Sequence, residues 1–239
     1  MQSVTNWLAA LVVNTVLLLP AIPAKLLTNW GLLNAWILGV IVWGGLGWRG
    51  YSIVLVYFAA GTLITRVGFA RKAARGIAEK RGGQRGPENV WGSAAVAAFC
   101  TLGYLVHPQP LWQLAYTASL ATKLSDTTAT EVGKAYGRTT FLITTLRPVP
   151  AGTEGAVSVE GTLAGIGGSL VIALCGLLVG FVDSWGFLWC LVAAFVATTC
   201  ESLIGATIQQ RGWLTNEMTN VLNTAIGALV AAALAIWTR

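Results

Sequence analysis

Charge is what this chain has least of. Asp, Glu, Lys and Arg make up 10% of its 239 residues, against roughly 25% in soluble domains. The largest polar gap runs only from Arg71 to Asn89, so no segment can stand as a water-soluble domain. The single histidine, His107, lies apart from the acidic clusters, which argues against histidine metal ligation and a Ser-His-Asp arrangement. The four cysteines, Cys100, Cys175, Cys190 and Cys200, sit inside apolar runs without CxxC spacing. They read as small buried hydrophobes, not as a disulfide framework or zinc site. A net charge of +6 invites nucleic acid as a partner, but the placement of that charge points to a membrane instead.

What is present is apolar sequence: 55% of residues are hydrophobic and mean hydropathy is +0.69. At about 20 residues per crossing, eight runs qualify: 4–23, 31–47, 51–69, 91–106, 110–125, 161–182, 185–204 and 217–237. The expected fold is an all-α, polytopic transmembrane bundle of seven or eight spans, one integral membrane domain over 1–239. Its active-site loops would be 70–90, 126–160 and 205–216. The first run is the weakest, broken by Pro20 and Pro23 and carrying Asn14. It lacks a basic leader and a small-residue cleavage site, so it reads as a span and not as a signal peptide. No Arg/Ser-rich transit segment is visible, which favours a prokaryotic or mature chain, in a prokaryotic plasma or thylakoid membrane.

Thirteen of the fifteen Lys/Arg residues fall at one set of span ends, and only Arg49 and Arg239 at the other. The positive-inside rule puts the rich side in the cytoplasm. Eight of the nine acids follow; only Asp183 falls outside. The chemistry is therefore expected to face the cytoplasm.

Lys123 to Gly161 concentrates it. At about 100° per residue, Lys123, Asp126, Thr127, Thr130 and Glu131 share an arc of about 140°, with Leu124 and Ala129 outside it. Two carboxylates, two hydroxyls and an ammonium on one face suit a hard divalent cation beside phosphate oxygens; Mg²⁺ typically takes one or two carboxylates and fills the rest with water and phosphate. An ordinary solvated helix end, with Lys123 and Asp126 as an i,i+3 pair, is the plainer alternative. Downstream, Arg147-Pro-Val-Pro-Ala-Gly-Thr153-Glu154-Gly155 joins stiff prolines to glycines that permit close approach to a ligand, or else is a simple re-entrant turn. Gly133-Lys134 lacks the earlier glycine and following Ser/Thr of a Walker A loop. In the first polar loop, Gly82-Gly-Gln-Arg85-Gly-Pro-Glu-Asn89 offers small residues and a guanidinium to an anion, although the whole loop also reads as a topogenic basic segment facing lipid headgroups. Glu201, after the seventh run, is a further metal ligand or a partner of one. Asn216, Thr219, Asn220 and Asn223 form a polar stripe, either interhelical hydrogen bonds or a pocket for a polar headgroup.

Asp126-Thr-Thr-Ala-Thr-Glu131-Val-Gly, Ile143-Thr-Thr and Val149-Pro-Ala-Gly-Thr-Glu-Gly-Ala-Val-Ser158 together resemble the signature of domain of unknown function 92, the transmembrane protein 19 family. Gly86…Asn89 and Glu201-Ser-Leu-Ile-Gly-Ala-Thr-Ile-Gln209 fit the same pattern, over roughly residues 70 to 225. The chain departs from it at Thr128, where an aromatic is expected, and at Ala156, where a second glycine is usual. The family includes the phytyl-phosphate kinase of tocopherol biosynthesis. The resemblance implies a prenyl-phosphate kinase, a transferase that makes phytyl diphosphate from phytyl phosphate and a nucleoside triphosphate, with CTP the preferred donor and Mg²⁺ the cofactor.

On that reading Asp126, Lys123, Glu131 and Arg147 carry catalysis, and Asp126, Glu131 and Glu201 hold the metal. Arg85, Asn89, Lys134, Arg138, Thr153, Glu154, Gly155 and Ser158 bind the nucleotide, while Thr130, Asn216, Asn220 and Asn223 meet the lipid phosphate. A lipid-phosphate cytidylyltransferase would use the same cations and metal. An organic-anion transporter would need a polar path to the outer side, for which Asn14, Arg49, Asp183 and a few hydroxyls are all the sequence offers.

Overall fold

A computed structural model describes residues 4–238. The helices are α1 (Val4–Leu18), α2 (Asn29–Arg66), α3 (Phe69–Ala74), α4 (Pro87–Val106), α5 (Pro110–Tyr136), α6 (Val159–Leu178), α7 (Ser184–Ile204) and α8 (Asn216–Trp237). A short antiparallel pair, β1 (Phe141–Leu142) on β2 (Ala156–Val157), lies between α5 and α6. The starts are written in the sequence. Thr28, Ser158, Asp183 and Thr215 accept hydrogen bonds from first-turn amides, while Pro87 and Pro110 occupy first-turn positions where no amide donor is needed.

Among the described residues, α2, α4, α6, α7 with its continuation to Gln209, and α8 are the five helices long and apolar enough to cross a membrane. Three expectations about the spans turn out differently. The run 4–23 stops being α-helical at Leu18 and tightens into a 3₁₀ turn around Pro20. Runs 31–47 and 51–69 are joined in α2, but Gly47, at φ 68°, breaks it, a conformation open to glycine and strained for other residues. The chain turns back there. Asn14 bonds Trp36 O and Tyr51 Oη on either side of the break, both at 2.6 Å. Leu27 before the first arm pairs with Arg85, and Thr65 late in the second lies against Gly83. Asn14 is thus an interhelical tie. Thirdly, α5 continues past the apolar run 110–125 to Tyr136, so Asp126 and Glu131 are helical as their periodicity requires, and the loop expected from 126 begins only after Tyr136.

α5 is the axis of the bundle, packed against α2, α4, α6, α7 and α8. α6 lies closest because glycines face it. A Cβ on Gly161 would stand 2.7 Å from Ala129 O, and one on Gly168 2.8 Å from Leu124 O. Small residues at such spacing let membrane helices approach backbone to backbone. Gly168→Ala should therefore lower stability by about 1–3 kcal/mol through overpacking, seen as a lower unfolding temperature in detergent. Parental unfolding would show that α6 has room to spare.

Candidate active site

α5 changes character along its length. Its first half buries Leu114, Ala115, Ala118 and Leu120; its second half carries the charges. There, at the end of the bundle where α5 finishes and α6 begins, a cavity of about 470 Å³ opens, within the size range of small-molecule sites. Lys123, Asp126, Thr127, Thr130 and Glu131 all line it, so the expected helical face is one wall. Ala129, outside the expected arc, lines it too, because the cavity wraps past α5 toward α6.

The wall is not a solvated helix end. Lys123 and Asp126 are each 6% exposed and Glu131 is 5%. Lys123 Nζ donates to Asp126 Oδ2 at 2.5 Å and to Asn220 Oδ1 of α8 at 2.7 Å. Asn220 and Asn216 line the cavity with it, whereas Asn223 does not. Asn223 is fully buried, its amide atoms unpartnered.

Glu131 has a partner that sequence reasoning missed. Lys72 of α3, fully buried, donates to Glu131 Oε2 and to Thr65 O at 2.9 Å. In sequence Lys72 is one of several basic residues in a loop, and nothing distinguishes it from Arg71 or Arg75. The tertiary fold turns that basic segment partly inward.

The third wall comes from two segments far apart in sequence. Gly155, at φ 75°, leaves no room for a side chain: a Cβ would meet Ala206 N at 2.5 Å and Ser202 O at 2.6 Å. Gln210 Nε2 donates to Glu154 O at 2.9 Å. The Pro-Ala-Gly-Thr-Glu-Gly turn is thereby latched onto the end of α7, beside a π-helical turn over Gly205–Gln209, a geometry frequent at functional sites. Thr153, Glu154, Gly155, Glu201 and Ser202 come to the cavity together. Asp126, Lys123 and Glu154 are the charged neighbours of Glu201.

Arg85 and Asn89 complete the lining. The Arg85 guanidinium lies over Tyr57 and Phe58, 5.7 and 5.6 Å from their ring centres. Asn89 Oδ1 accepts from Gly86 N and Arg81 Nη2, leaving its amide N–H groups for a ligand. Lys134 and Ser158 line the cavity as well, though the Ser158 hydroxyl already caps α6 through Gly161 N. Arg138 and Arg147 are exposed and outside the lining. At the opposite end, His107 bonds Gln109 and Asp183 caps α7.

Among the described residues, no group of three or more His, Cys, Asp or Glu side chains forms a ready metal site. Asp126 and Glu201 are neighbouring carboxylates on the same cavity, which is what Mg²⁺ uses when phosphate and water fill its remaining positions. Glu131, held by Lys72, belongs to a separate pair.

The family described as integral membrane protein DUF92 matches residues 12–228. An uncharacterized membrane protein of Synechocystis is 59% identical over 232 residues, 94% of this chain and 90% of that one. Protein VTE6, chloroplastic, of Arabidopsis thaliana is 40% identical over 239 residues, covering 96% of this chain and 70% of that one. An uncharacterized membrane protein of Methanocaldococcus jannaschii is 29% identical over 235 residues, 96% of this chain and 94% of that one. No solved structure matches the chain.

Proposed function

Since the chain belongs to the integral membrane family DUF92, we propose that it is a prenyl-phosphate kinase, moving a phosphoryl group from a nucleoside triphosphate, by preference CTP, to phytyl phosphate. The observation that carries this reading is the composition of one cavity. It gathers cations (Lys123, Arg85, Lys134), carboxylates (Asp126, Glu154, Glu201) and amides (Asn89, Asn216, Asn220) at one end of an otherwise apolar bundle. The acceptor is already an anion at pH 7, so no strong base is needed. The obstacle is repulsion between anions, which positioned cations relieve. An oxygen of the lipid phosphate attacks the γ-phosphorus, the bond to the β-phosphate oxygen breaks, and nucleoside diphosphate leaves. Lys123 and Arg85 neutralise the phosphates, and Asn216 and Asn220 orient the acceptor. Mg²⁺, held by Asp126 and Glu201, would supply charge neutralisation between the two substrates.

In the membrane the two arms of α2, with α1 and α5, add crossings to make eight, and the cavity faces the cytoplasm. Cysteines introduced at 134 and 153 should then be labelled from the cytoplasmic side only, and one at 107 from outside; labelling of 134 from outside would overturn the orientation.

The deciding experiment is to incubate the purified protein with Mg²⁺, labelled CTP and prenyl monophosphates, and to identify both products. A kinase yields CDP and a prenyl diphosphate; pyrophosphate and a CDP-lipid would make it a nucleotidyltransferase. Placement in the cavity also ranks the arginines. Arg85→Lys, which keeps charge but loses the planar fork, should lower the transfer rate at least about tenfold, the scale of one lost charged hydrogen bond. Arg147→Lys should change it little. The reverse order would move the phosphate site out to the Arg147 turn.

A further inference from the structure

The cavity is not lined by polar groups alone. On its α6–α7 side the lining includes Ile166 and Phe195, 38% and 51% exposed on the outer, apolar surface of the bundle. α6 is 20 residues long, about 30 Å at 1.5 Å per residue, the thickness of a bilayer's hydrocarbon core. Ile166, seven residues from the start of α6, lies about 10 Å along it. Phe195, nine residues before the end of α7, lies about 14 Å from that end. The polar interface of each leaflet is only about 5–8 Å deep. So the space that holds Lys123 and Asp126 also reaches sideways to hydrocarbon depth. α6 and α7 are joined by a short turn at the far end, and between their ends at the cavity the lining is Thr162, Gly165, Thr198 and Thr199, small enough to leave a slot.

We infer that the slot between α6 and α7 is where the hydrocarbon chain of a lipid phosphate passes from the bilayer into the site. The inference rests on the prenyl-phosphate reading and names the seat of that substrate's tail. Phosphate sits beside Lys123 and Asn220; the first isoprene units cross between Ile166 and Phe195; the rest of the chain lies along the outer faces of α6 and α7 in lipid. A soluble anion needs no opening to hydrocarbon, whereas an amphiphile with an anionic head needs both surfaces in one continuous space. A second apolar slot of about 80 Å³, walled by Leu38, Val54 and Phe58, lies behind Arg85. It is the competing seat.

The test is a prenyl monophosphate carrying a photoreactive diazirine in its first isoprene units, cross-linked to the full-length protein in lipid nanodiscs and mapped by mass spectrometry. Adducts are expected on residues 162–170 of α6 and 192–199 of α7, and should be lost to excess unlabelled lipid phosphate. Adducts on residues 38–58 would place the tail in the slot behind Arg85 and overturn the inference, as would the absence of saturable labelling. In parallel, Ile166→Trp should plug the slot from an exposed position that tolerates bulk. It is expected to raise KM for phytyl phosphate about tenfold or more, with KM for CTP near parental. An equal rise in KM for CTP would also overturn it. Because cross-linking needs no turnover, mapped adducts without phosphoryl transfer would remove the kinase reading and leave the chain's seat standing.

Discussion

Asp126→Asn is expected to lose a factor of about 10²–10³ or more in phosphoryl transfer, equivalent to about 3–4 kcal/mol of transition-state stabilisation. The substitution preserves shape and removes one negative charge beside Lys123 and Glu201. Two consequences must be separated, because Asp126 is buried. Removing one partner of a buried pair destabilises, by up to about 3–5 kcal/mol in the unfavourable case. Here Lys123 keeps Asn220 as an acceptor, so the loss of stability should be smaller. The measurement is transfer to phytyl phosphate per folded molecule, across a Mg²⁺ and Mn²⁺ titration, with thermal unfolding alongside. A lost metal ligand shifts the titration to higher metal concentration and lowers the plateau. A merely structural carboxylate lowers the unfolding temperature and leaves both unchanged. Parental rate and parental metal dependence in folded Asp126→Asn protein would remove the metal from this position.

Lys72→Met should have the largest effect on stability. Lys72 is fully buried between Glu131 and Thr65 O, and taking it away leaves a buried carboxylate with no counterion. Such losses run to about 3–5 kcal/mol. The double variant Lys72→Met, Glu131→Leu, which removes both charges and keeps the volume, should recover most of that, since replacing a buried pair by apolar groups is often neutral or better. Unfolding of the single variant at the parental temperature would show that Glu131 finds water instead. The comparison has a functional side as well. If the pair only fastens the Phe69–Ala74 helix to α5, the stable double variant keeps transfer; if Glu131 serves the reaction, it does not.

How much of this could be read from the chain depended on how local the signal was. Lys123, Asp126, Thr127, Thr130 and Glu131 share a wall because helical periodicity alone puts them on one side of α5. The Gly155 turn was visible as a turn, since glycines and prolines act within a few residues. Apolar run length marked only part of α5, because hydropathy falls at Ser125 while hydrogen bonding does not: a helix surrounded by other helices can carry Asp126 and Glu131 past the point where its sequence ceases to be apolar. The break at Gly47 was legible only as a boundary between two apolar runs.

Composition and charge placement by themselves determined an all-helical membrane chain with its chemistry gathered at one end, because apolar run length and the sorting of Lys and Arg need no knowledge of packing. Tertiary structure decided which charges turn inward. Lys72 and Arg71 are equivalent in sequence, yet one is buried against Glu131 and the other lies over Tyr136 at the surface. Arg85 reaches the cavity and Arg147 does not. Glu201 meets Asp126 although 75 positions separate them in the chain. Such pairings are settled by which helices lie side by side, and a buried charge is tolerated only where a neighbouring helix brings its partner.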